Sequence, residues 1–105
     1  MRILFDQGVP APLRGHLPNH DIRTAYELGW SLLRNGELLT RAAVQFDALI
    51  TTDRNLKNQQ NLSQVKVAIL VLPTTSWPRL QGMLGEIAAA VDALRGGEYL
   101  ELPLR

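Results

Sequence analysis

The sequence predicts an α/β domain, a three-layer sandwich in which a mostly parallel sheet of about five strands carries helices on both faces. Three observations predict it. Short apolar runs alternate with segments of helical period, the pattern of β-α-β units and hence of a parallel sheet. The run KVAILVL at residues 66–72 shows no polar alternation, as expected of a strand buried on both faces. Residues 77–95 place Trp77, Leu80, Leu84, Ile87, Val91 and Leu94 at steps of three and four, which is one face of a helix.

The elements follow in order. Residues 2–5, RILF, read as a strand. Residues 9–17 read as a short helix, with Pro10 and Pro12 tolerable only in its first turn. Residues 20–25, HDIRTA, are a less apolar strand, suited to a sheet edge, and residues 26–34 are a loop carrying Gly29 and Trp30. Residues 36–46 read as a helix with Leu38, Leu39, Ala42, Ala43 and Phe46 on one face and Asn35 as its N-cap. Residues 48–52, ALITT, are a strand ending at Asp53, and the polar stretch 54–64 is turn-like. After the strand at 66–72, Ser76 caps the helix at 77–95, Gly96 and Gly97 stop it, and residues 98–102 form a last short strand.

Composition narrows the function classes. A length of 105 residues suits a single domain, 1–105, and a hydrophobic content of 46% supports a core without staples. There is no cysteine, which excludes disulfides and thiolate metal sites and suits a reducing, cytoplasmic setting. The apolar run at the N-terminus is too short for a signal peptide, and no later run approaches a membrane span. The net charge of +1 argues against a protein that holds nucleic acid by charge alone, but not against an enzyme with a local basic rim.

In an open parallel sheet, ligands bind beyond the carboxyl ends of the strands. Asp6 directly follows the first strand and Asp53 directly follows ALITT, so both stand where a site is expected. Glu37 opens the helix preceding ALITT, at the same edge. Each acid also suits a local role: Asp6 and Asp53 as turn residues, Glu37 as partner of the helix dipole. Gathered together, three carboxylates repel one another unless a cation joins them. Oxygen-only ligands select Mg²⁺ or Mn²⁺, which polarise a phosphodiester and activate a water. Arg54 and Lys57, and Arg14 on the first helix, are the candidate phosphate contacts. His16 and His20 flank Pro18 and Asn19, so no helix pairs them as zinc ligands, and they read as surface or capping residues. Trp77 reads as core, whereas Trp30 in its loop is expected to be open to solvent.

The segments RILFDQGVP, NGELLTRAAVQFDALITTDRNL and KVAILVLP resemble a family of short prokaryotic PIN-like proteins, relatives of the VapC-type toxin ribonucleases. In that family an Asp closes the first strand, an acid begins the helix before the third strand, and a Thr-x-Asp follows that strand. Asp6, Glu37 and the pair Thr51 and Asp53 match those positions, and the resemblance covers most of residues 1–72. It implies a metal-dependent ribonuclease with Asp6, Glu37 and Asp53 as catalytic, metal-binding residues. It further implies an RNA substrate and an antitoxin partner that shields the site. The chain departs from the pattern at Gln7 and Gly8, and no carboxylate follows Asp53 until Glu86. That departure supports a second reading, a PIN-like module that binds protein or RNA without cleaving it, its apolar helix face covering the sheet or forming a homodimer. A third reading, a receiver-like phosphoacceptor domain, expects an early acidic pair and a Lys after a late strand, but Lys66 begins its strand instead.

Overall fold

In the computed structural model of the chain, residues 1–56 and 66–104 are described, Asn35 by its backbone only. Five strands form one all-parallel sheet: β1 (Arg2–Phe5), β2 (Asp21–Thr24), β3 (Ala48–Thr51), β4 (Ala68–Val71) and β5 (Tyr99–Glu101). Their order across the sheet is β2-β1-β3-β4-β5. The chain therefore reverses its direction of winding between β1 and β3, the place where open α/β sheets bind ligands. The less apolar β2 takes an edge, as its composition predicts, and every residue of β4 is buried.

The pleat sends alternate side chains to opposite faces. Ile3, Phe5, Ile50 and Leu70 point to one face, where Leu13, Leu80, Ile87 and Val91 close the larger core. Leu4, Leu49, Ile69 and Val71 point to the other, against Leu38, Leu39, Ala42 and Phe46 of α1 (Asn35–Gln45). Helical layers on both faces of one sheet complete the three-layer sandwich. Among the described residues no helix is long and apolar enough to cross a membrane.

Four local expectations are corrected. The segment expected as a helix at 9–17 is a 3₁₀ helix, Ala11–His16: six residues with Pro at the start and Gly15 inside cannot propagate an α-helix. The helix expected over 77–95 is two helices, α2 (Trp77–Gln81) and α3 (Leu84–Ala93). Gly82 weakens the ladder at the join, and Met83 leaves helical geometry to bury its side chain in the core. Arg34, not Asn35, precedes the first turn of α1, without a side-chain cap, and Ala43 faces solvent. Trp30 is buried, set edge-on to Phe46 at 6.3 Å between ring centres, with the Arg41 guanidinium 5.6 Å above its ring. The polar stretch expected as a turn at 54–64 lies mostly outside the described residues.

Candidate functional site

The carboxyl ends of β1 and β3 are bound together by backbone and side chain. The register pairs Phe5 with Ile50, and the Asp6 N–H donates to the Ile50 carbonyl at 2.9 Å. Asp6 is thereby fixed beside Thr51, the one buried polar residue of the described chain, 1% exposed. The Thr51 hydroxyl donates to Asp6 Oδ2 at 2.8 Å, and its oxygen accepts the Asp53 N–H at 3.1 Å. One hydroxyl therefore joins the side chain of the first acid to the backbone of the second. Asp6 Oδ1 also accepts the Gln7 N–H at 2.7 Å, and Asp53 Oδ1 accepts the Asn55 N–H at 2.9 Å. The pair stands at the sheet's point of reversal, as the positions of the two acids after their strands predict.

Gly8 lies tight against the end of β3. A Cβ at this position would overlap the Thr52 hydroxyl, so with Thr52 as it stands the turn after β1 closes against the end of β3 most easily when residue 8 lacks a side chain. The Val9 N–H closes that turn onto the Asp6 carbonyl at 3.0 Å.

Glu37 does not join the pair. It is exposed in the first turn of α1, on a shallow concavity shared with Gly36, Thr40 and Arg41. Among the described residues no group of three acidic or histidine side chains is placed to hold one metal ion. Arg14, expected as a free phosphate contact, has its charge compensated. Its Nη1 lies 2.8 Å from Glu27 Oε1 and donates to the Ile22 carbonyl at 3.3 Å. Arg54 is exposed in the turn behind Asp53. Lys57 lies outside the described residues. His20 is not a surface residue: its side chain is 9% exposed, with Nε2 2.7 Å from Asp92 Oδ1. His16 packs on Trp77 at 5.6 Å between ring centres. No lysine follows β4 or β5 within residues 72–75 or 102–104, so the phosphoacceptor reading lacks the lysine it expects.

A cleft of about 710 Å³ opens beside Asp6. Arg14, Tyr26, Glu27, Thr75 and Trp77 are among its walls. Glu27 is a residue the sequence reading missed, although its signal is present. Thr24-x-x-Glu27 is the capping-box spacing, and its bonds are reciprocal: the Thr24 N–H donates to Glu27 Oε1 at 2.9 Å and the Glu27 N–H donates to Thr24 Oγ1 at 3.1 Å. The Thr24 N–H and then Arg14 hold the Glu27 carboxyl below the ordinary carboxylate range. On the α1 face of the sheet, burial and the neighbouring Glu101 raise the Tyr99 phenol above its ordinary value, with Asp53 acting in the same direction.

The donor chemistry suits a hard cation. Asp6 has accepted one hydrogen bond on each oxygen, leaving lone pairs on both. The Asp6 carboxylate with the Thr51 hydroxyl beside it offers the oxygen donors that Mg²⁺ or Mn²⁺ would take, ions that bind through one or two carboxylates, substrate oxygens and water. No family model, no curated protein and no solved structure matches the chain.

Proposed function

We propose that the chain is a metal-dependent phosphodiesterase of PIN type acting on RNA, with Asp6 and Asp53 holding Mg²⁺ or Mn²⁺. One observation carries this reading: two acids 47 positions apart are joined through the buried Thr51 hydroxyl at the carboxyl ends of adjacent parallel strands. A bound ion supplies a Lewis acid for the phosphodiester and a water of lowered pKa. Thr51 orients the Asp6 carboxylate and fixes the backbone of Asp53. Gly8 lets the turn come close to the end of β3, and Asp6 lines the cleft. Glu37 stands outside the pair in this reading, at the same edge, as a contact for water or substrate. Arg54 and Lys57 remain the candidates for the phosphate, since Glu27 already neutralises Arg14. An RNA substrate implies a cytoplasmic protein, and the resemblance implies an antitoxin that covers this edge, which the neighbouring open reading frame would encode.

The test is cleavage of unstructured RNA by the purified chain, with Mn²⁺ or Mg²⁺ and with chelator. Cleavage that needs metal and disappears in Asp6→Asn is expected. A well-folded chain that leaves RNA intact at every metal concentration refutes the reading. The sequence, with no carboxylate between Asp53 and Glu86, supports a second reading, a binding module without catalysis. That module would retain RNA or a protein partner in chelator and be indifferent to Asp6→Asn.

A further inference from the structure

We propose that the cleft beside Asp6 seats one unpaired nucleobase, stacked on Tyr26 and read along its edge by Glu27. The strand to which that base belongs rests on the RNA-cleaving reading above, whereas the seat itself needs no metal. Its volume, about 710 Å³, falls within the range of small-molecule sites and accommodates a nucleotide-sized group. Its charge argues against a phosphate seat. Asp6 and Glu27 are acidic and only Arg14 is basic, so a bare anion is repelled. A neutral base carrying N–H donors is not.

The walls have the parts that base recognition uses. Tyr26, in the loop after β2, exposes 82% of its surface, an unusual position for a large ring and an open platform for stacking. Trp77, half-buried at the start of α2, lines the cleft from beyond β4, on the other side of the point of reversal. Glu27 is fixed before any ligand arrives. Its Oε1 takes both the Thr24 N–H and Arg14, and Oε2 carries no hydrogen bond or ion pair among the described residues. The Arg14 fork is held in turn by Glu27 and the Ile22 carbonyl, and one guanidinium nitrogen makes both contacts. An acceptor and a donor therefore stand side by side, fixed by backbone contacts, next to an exposed ring. Because Asp6 lines the same cleft, a base seated here places its adjoining phosphate near Asp6. A duplex, whose bases are stacked and paired, offers nothing that enters.

The experiment uses the full chain in EDTA, where the cleavage reaction is silent. The Trp30→Phe variant leaves Trp77 as the only tryptophan, and its fluorescence is followed on titration with nucleosides. Backbone amide shifts of Gln7, Gly8 and Glu27 in the unmodified chain give the same readout if that variant folds poorly. Saturable binding is expected. Tyr26→Ala, a surface change, should weaken it about five-fold or more, the contribution of stacking one base on an aromatic ring. Glu27→Gln should weaken it as well. Single-stranded RNA should displace the nucleoside where a duplex of the same sequence does not. No saturable response in either measurement, affinity unchanged in Tyr26→Ala, or equal displacement by duplex overturns the proposal. Metal-dependent cleavage without nucleoside binding would reject the seat and keep the enzyme, whereas nucleoside binding without cleavage would reject the enzyme and keep the seat.

Discussion

Replacing Thr51 by valine keeps the volume of the side chain and removes the one atom that joins Asp6 to Asp53. The hydroxyl lies in a position 1% exposed, donates to a carboxylate at 2.8 Å and accepts an amide at 3.1 Å. A hydrogen bond to a charged group contributes about 1.5–3 kcal/mol and one to an amide about 1 kcal/mol. Asp6 is only half-buried, so water recovers part of the first. The net loss expected is about 2 kcal/mol, which in a domain of this size lowers the melting temperature by about 8 °C. Thr51→Ser keeps the hydroxyl and loses one methyl, about 0.8 kcal/mol, and is the internal control. Urea unfolding at neutral pH measures both variants. The same valine frees the Asp6 carboxylate to rotate, so Mn²⁺ affinity should fall about ten-fold or more, as for other partners of metal ligands, while the serine variant holds it. The reasoning is refuted if valine is as stable as serine and binds Mn²⁺ as the unmodified chain does.

Two further outcomes follow from the same geometry. Gly8→Ala forces a methyl into the Thr52 hydroxyl and should cost about 1–3 kcal/mol, most of it restored by adding Thr52→Ala; strictly additive losses in thermal melts of the two single variants and the double variant would show that the two residues do not meet. Glu27 has a lowered pKa in the fold, so it contributes stability above its ordinary value of about 4.3 that disappears as the pH falls through the lower, folded value. Urea midpoints between pH 6 and 3 should therefore drop more steeply for the unmodified chain than for Glu27→Gln, and parallel curves would contradict the capping-box account.

Much of the fold was legible because burial leaves a direct mark on composition. The unbroken apolar run of β4 announced a strand covered on both faces, and the mixed character of HDIRTA announced an edge. Asp6 and Asp53 were legible because strand ends in a parallel sheet share one rim, and β1 and β3 are neighbours. What escaped depended on distances that periodicity does not encode. A helix starting at the rim has a known edge but no fixed position along it or away from the sheet plane. Glu37 satisfied the first condition without joining the acids. Trp30 sat in a loop by sequence and in a core by contact, because Phe46 of another segment covers it. The break at Gly82 and Met83 left the steps of three and four almost unchanged, so one face of residues continued across two helices. Arg14 looked free because its partner, Glu27, is placed by a capping box in a loop that reads as irregular.

Electron paramagnetic resonance of Mn²⁺ titrated into the unmodified chain, Asp6→Asn, Asp53→Asn and Glu37→Gln addresses the two-acid centre directly. One bound ion is predicted for the unmodified chain, lost in both aspartate variants and kept in Glu37→Gln. A spectrum of free Mn²⁺ throughout the titration of the unmodified chain, or a Glu37→Gln variant as deficient as Asp6→Asn, would contradict it.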